Sequence, residues 1–122
     1  MTLKTFLVII MMIESGGDPA AIGDNGNAVG AFQIWPIYVE DVNRIYGTSF
    51  TLADRYNKAT SAKITYLYLS HYGSAERLGR QPTAQDWARI HNGGANGHKK
   101  HKTLKYYKKF LTTYKTITKT EI

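Results

Sequence analysis

Apolar residues crowd the start of the chain and then recur at helical spacing. Leu3, Phe6, Leu7, Ile10 and Glu14 fall at i, i+3, i+4, i+7 and i+11. Val8, Ile9 and Met12 make the other faces apolar too, so the pattern predicts a central helix from about Leu3 to Ser15, buried all round. Its buried stripe ends in a carboxylate, Glu14. Gly16-Gly17 stops the helix and Pro19 keeps it from resuming.

The next stretch, Gly23 to Ile34, reads as a small β element. Asn25-Gly26 is a tight-turn signal whose central residues need positive φ. Val29, Ala31 and Phe32 suit a short strand, and Gly30 suits a place where a ligand or another backbone comes close. Pro36 opens a second helix, about Ile37–Tyr46, with Tyr38, Val42, Ile45 and Tyr46 inward and Gly47 as its stop. A third helix starts at Leu52 or Asn57 and runs to Tyr72, with Ala59, Ala62, Tyr66 and Leu69 on one face and Gly73 after it. A short turn follows at Ser74–Leu78. Thr83-Ala84-Gln85-Asp86 resembles a capping box and starts a fourth helix that reaches Ile90 or His91 before Asn92-Gly93-Gly94. A last helix, about Leu104–Tyr114, would turn Tyr107, Leu111 and Tyr114 inward and lysines outward, leaving Thr116–Ile122 frayed. No repeat or linker interrupts the 122 residues, so residues 1–122 are expected to form a single domain.

Composition narrows the class. A 43% apolar and 12% aromatic chain is globular rather than disordered. Without cysteine it has no disulfide and no thiol chemistry. The opening apolar run lacks a small-residue cleavage site, so no cleavable signal peptide is expected, and it is too short to span a membrane. The net charge of +7 is concentrated late: eight lysines lie between Lys99 and Lys119. They form either a solvated helix face or a surface for polyanions such as an anionic cell wall.

Two constellations carry chemistry. Glu14, at the end of a greasy helix, and Asp24, in a polar turn, have the environments of a protonated and an ionised carboxyl group, the pair that glycoside hydrolysis commonly uses. By spacing alone they are equally a helix-end residue and a turn former. His91-Asn92-Gly93-Gly94 offers an amide for sugar groups and glycines to line a groove, or else a plain helix end. His71, His91, His98 and His101 make no metal-ligand pattern with the acids, so neither metal nor cofactor is expected. Phosphate-loop, dinucleotide and nucleophile-elbow motifs are missing, and no specific nucleic-acid motif accompanies the charge.

Glu14-Ser15-Gly16-Gly17, Gly30-Ala31-Phe32-Gln33-Ile34 and Ala88-Arg89-Ile90-His91-Asn92-Gly93-Gly94, in that order, resemble the lysozymes, above all the invertebrate (destabilase-like) type. Tyr68–Gly73 and Gln81–Asp86 are similar to it as well, so the likeness spans roughly Ile13 to Tyr107. It implies an α+β, mainly helical fold in which a small β-hairpin lobe and a helical lobe flank a cleft. It also implies cleavage of the β-1,4 bond between N-acetylmuramic acid and N-acetylglucosamine in bacterial peptidoglycan. Glu14 would be the general acid and Asp24 the second carboxylate, with Ser15, Gly30, Phe32, Gln33, His91, Asn92 and Gly93 contacting substrate. The chain departs from the invertebrate type in having no cysteine. Its Gly23-Asp24-Asn25-Gly26-Asn27 with Gly30 and Gln33 is instead similar to goose-type lysozymes, and lytic transglycosylases share the Glu-Ser and Gly-x-x-Gln pattern. A transglycosylase using Glu14 alone and a non-catalytic glycan binder are the alternatives. A basic, cysteine-free muramidase with no signal peptide fits a monomeric phage lysis or virion-associated protein, a bacteriolytic endolysin held to the anionic wall by Lys99–Lys119.

Overall fold

Helix α1 (Leu3–Ser15) begins where the Thr2 hydroxyl accepts the Thr5 backbone N–H and ends at Gly16, whose φ of 67° closes the last turn. The computed structural model describes residues 1–120. Phe6, Leu7, Ile9 and Ile10 are buried, and Phe6 packs edge-on to Trp87 and against Phe110 at ring separations of 5.6 and 5.3 Å. The expectation of burial all round is corrected here. Val8 is 56% and Met12 47% exposed, because the later helices cover one broad face of α1 and leave the other to solvent.

Strand β1 (Ile22–Gly23) pairs antiparallel with β2 (Ala28–Val29), Ile22 opposite Val29 and Gly23 opposite Ala28. The connecting residues Asp24, Asn25 and Gly26 all have positive φ, so the left-handed turn expected at Asn25-Gly26 begins one residue earlier. Ala31 and Phe32 are not strand residues. A tight turn from Gly30 to Gln33 buries both and returns the chain so that Val29 bridges Ile34.

Helix α2 (Pro36–Tyr46) buries Tyr38, Val39 and Val42. Tyr46, expected inward, is exposed and donates its hydroxyl to the Leu67 carbonyl at 2.9 Å. A single-turn segment, Leu52–Tyr56, leads into α3 (Lys58–Tyr72), capped by the Asn57 side chain. The buried face of α3 is Ser61, Ile64, Thr65, Tyr68 and Leu69, and Ala59 and Tyr66 stand outside it. The face differs from the expected one because polar side chains can be buried when bonded locally: the Thr65 hydroxyl donates to the Ser61 carbonyl. Tyr68 then stacks on Tyr38 with 3.6 Å between centroids, locking α3 to α2.

After the short α4 (Ala75–Leu78), the capping box at Thr83 and Asp86 forms as read and starts α5 (Ala84–Gly93), two residues longer than expected. Two further single turns lead to α6 (Leu104–Thr120). Here the inward face is Tyr106 and Phe110. Tyr107 and Leu111 are half-buried at its edge, and Tyr114 is exposed. The stripe that omitted Phe110 was therefore rotated by one residue. The helix continues through the expected frayed tail to Thr120, while Glu121 and Ile122 lie outside the described residues. The architecture is mainly helical with one small antiparallel sheet, as expected. Among the described residues no helix is long and apolar enough to cross a membrane.

Candidate active site

Glu14 lies in the last turn of α1, partly buried, and its Oε1 accepts the Tyr106 hydroxyl at 2.6 Å. Burial, and then the charge of Glu14, hold the Tyr106 phenol well above its ordinary pKa. Tyr106 is thus a fixed donor, and it occupies one carboxyl oxygen of Glu14 while leaving Oε2 for another partner. The next residue, Ser15, fastens the helix end to the β side: its Oγ donates to the Ala31 carbonyl at 2.7 Å and accepts the N–H groups of Gly17 and Asp18.

Asp24 arrives from the hairpin. Its φ of 50° belongs to the left-handed region, and its exposed carboxylate accepts the Trp35 indole N–H at 3.3 Å. Gln33 also has positive φ, and its amide donates to the carbonyls of Ala21 and Gly30. Glu14, Asp24, Gln33, Trp35, His91 and Asn92 together line a cleft of about 90 Å³. Larger hollows of about 450 and 700 Å³ lie elsewhere and contain neither carboxylate. The small cleft is the chemically equipped one, since it gathers two carboxylates, two amides and an imidazole.

His91 is oriented from both ring nitrogens. The Phe32 carbonyl can only accept, so Nε2 carries the proton and donates to it at 3.2 Å. Nδ1 then accepts the Tyr38 hydroxyl at 2.9 Å. Burial pushes the imidazole below its ordinary pKa, against the weaker opposing pull of Glu14. A neutral His91 therefore ties α5 to the turn that follows β2.

The other residues named from sequence lie behind the cleft wall. Phe32 is 2% exposed, with its ring in the core and its carbonyl on His91. Gly30 is buried with φ of 87°, and a Cβ there would overlap the Arg55 carbonyl oxygen. The close approach read from sequence is thus one of backbone to backbone. Gly93 sits under the Thr103 methyl, and its carbonyl accepts the Lys100 ammonium. Arg55, which the sequence did not single out, is buried, and among the described residues it has no carboxylate partner. It donates to the carbonyls of Leu52, Asn27 and Ile34, clasping the residue before β2 and the one that bridges Val29. Trp35 was missed as a cleft residue, and Tyr38 and Tyr106 as the buried residues that bond His91 and Glu14. A stripe through Phe110 would have found Tyr106, whereas the other two carry no local signal. Among the described residues no group of three His, Asp or Glu side chains could hold a metal ion.

A carboxyl group at a helix end facing a hairpin across a polar cleft defines the lysozyme-like class, and known structures agree. The Tapes japonica lysozyme matches with a TM-score of 0.71 at 27% identity, over 88% of this chain and 86% of that one. A chain in the crystal structure of Aeromonas hydrophila PliI in complex with Meretrix lusoria lysozyme matches with a TM-score of 0.74 at 25% identity, over 88% and 86%. No curated protein sequence matches. The model of the Transglycosylase SLT domain matches residues 1–115, and the chain belongs to that family. It is accordingly an enzyme of the glycosidic-bond-cleaving class.

Proposed function

We propose that this protein is a peptidoglycan muramidase, cleaving the β-1,4 bond from N-acetylmuramic acid to N-acetylglucosamine. The observation that carries this reading is that Glu14 and Asp24 open onto one cleft from different elements. Glu14 donates its proton from Oε2 to the leaving O4 as the C1–O4 bond breaks. Tyr106, already bonded to Oε1, stabilises the carboxylate that results. Asp24 stabilises the positive charge at C1. Water then adds to C1, returns a proton to Glu14 and leaves a reducing end. The muramidase acts on the wall as a phage lysis or virion-associated endolysin.

The family match favours a second reading. In a lytic transglycosylase the C6 hydroxyl of the muramic residue attacks C1 in place of water. Glu14 takes that proton, and the product is a 1,6-anhydro end. Asp24 is then dispensable.

Glu14→Gln is expected to lower wall clearing by about a thousandfold, within the range of general acid catalysis, with an unchanged thermal melt. Full activity in that variant would sink both catalytic readings. Mass spectrometry of digested peptidoglycan separates them, because reducing ends mean hydrolysis and anhydro ends mean transglycosylation. Asp24→Asn should be strongly impaired only in the first case. Wild-type protein that bound peptidoglycan and released no fragments would be a glycan binder instead.

A further inference from the structure

On the side of α6 turned away from Tyr106, a groove of about 700 Å³ runs between that helix and the first turn of α5. Its floor is apolar, made by Leu104, Tyr107 and Leu111. Lys102, Lys105 and Lys108 stand along it, and Gln85 faces them from α5. Lys105, Lys108 and Lys109 also border an adjoining hollow of about 390 Å³, so the cationic surface continues past the groove.

Among the described residues none of these lysines is ion-paired: the ion pairs are Arg44–Asp41 and Arg80–Asp86, and neither involves α6. No acid occurs between Lys99 and Thr120. Holding so many like charges on one helix costs free energy unless an anion shares the surface. Lys105 and Lys108, three residues apart on α6, stand about 5–6 Å from each other at Cβ, and Lys102 precedes them in the single turn before the helix. Lysine heads suit singly charged, tetrahedral anions, and no arginine fork is present to prefer planar carboxylates. The Gln85 amide both donates and accepts, which suits hydroxyl groups between the anions.

We propose that this groove binds a linear phosphodiester polymer with a polyol backbone, such as a poly(glycerol phosphate). Phosphates would meet Lys102, Lys105 and Lys108, carbon would lie on the apolar floor, and hydroxyls would meet Gln85. The site would hold the enzyme on an anionic wall while the cleft works elsewhere, and it does not depend on the cleft chemistry. Other polyanions fit less well. A bilayer needs exposed apolar anchors, and Leu104, Tyr107 and Leu111 are half-buried. Single-stranded nucleic acid needs free aromatic faces, whereas the Tyr107 ring lies along Phe110.

The test is direct binding of the intact protein to purified poly(glycerol phosphate), titrated with salt. The triple variant Lys102→Gln, Lys105→Gln, Lys108→Gln should weaken binding by at least about tenfold and flatten the salt dependence. Lys4→Gln, Lys58→Gln, Lys63→Gln removes the same charge from exposed sites elsewhere and should weaken it by less than about threefold. Gln85→Leu should reduce the preference over polyglutamate of equal charge. Equal losses in the two triples would overturn the proposal in favour of net charge. So would equal or tighter binding of polyglutamate, a DNA oligonucleotide or anionic phospholipid vesicles. Cleavage of polymer-free glycan strands should stay at wild-type rate in the first triple, so a failed tether and a failed cleft give different results.

Discussion

Glu14 stands in the last turn of a thirteen-residue helix whose Phe6 and Ile10 are fully buried, and a tyrosine from α6 fixes its carboxyl group. Asp24 stands on a hairpin of two-residue strands, exposed, in left-handed backbone; its carbonyl is tied to Asn27, while its carboxylate, among the described residues, is held by one long indole bond. One wall of the cleft is rigid because it belongs to the core. The other is placed by a clasp: Arg55 bonds to the carbonyls of Asn27 and Ile34, and its own carbonyl packs against Gly30. A reaction that needs two groups at a fixed separation therefore depends on the exposed turn Asp24–Asn27, which stands outside the core that takes in Ala28 and Val29.

This contrast can be broken at its most constrained point. Gly30→Ala forces a Cβ into the Arg55 carbonyl from a φ that side chains rarely adopt, and should destabilise the protein by about 3 kcal/mol. Urea denaturation measures it, and an unchanged midpoint would mean that the turn shifts freely. Arg55→Met should cost about 2–3 kcal/mol, since three carbonyls lose a charged donor. At a temperature where the variant remains folded, its activity should still fall, because the hairpin wall is loosened and α1 is not.

On the rigid wall, Tyr106→Phe removes one hydrogen bond to Glu14. It should lower kcat by about tenfold, equivalent to about 1.4 kcal/mol, with KM and the melt little changed. A large loss of stability would make Tyr106 structural instead. The smallest effect lies at the start of α5. The Arg80 bond lowers the Asp86 pKa from 3.8 to about 2; burial, next in size, opposes it, and the smaller Thr83 bonds add to the lowering. A depressed carboxyl pKa stabilises the fold fully above 3.8, and the gain is lost as pH falls through about 2. Arg80 stands in solvent, so screening leaves about 1 kcal/mol. Asp86→Asn should lower the melting temperature near neutral pH, and the difference should vanish below about pH 2.

Much of the helical wall was legible in the chain itself. A run of apolar residues ending in Glu14-Ser15-Gly16-Gly17 dictates a helix, its end and an acid at that end, because all three depend on residues close in sequence. The same holds for the Asn25-Gly26 turn and the Thr83–Asp86 capping box. What the spacing left open was which face of each helix turns inward. Helices α3 and α6 carry aromatic or apolar residues on several faces, and the choice is made by what packs against them. Tyr38 selects Tyr68 on α3, and Phe6 selects Phe110 on α6.

The site depends on those choices. Tyr106 meets Glu14 across 92 positions of sequence, His91 meets Phe32 across 59 and Tyr38 across 53. No periodicity encodes such pairs, since each exists only after two buried faces have docked. The sequence alone thus determined a carboxylic acid at the end of an apolar helix, followed by a glycine-rich loop bearing a second acid. Only the tertiary structure decided which tyrosine fixes the first acid, which arginine holds the loop of the second, and that both open onto one cleft. Local backbone preferences act within a few residues, whereas orienting a side chain in a site requires partners that packing alone brings together.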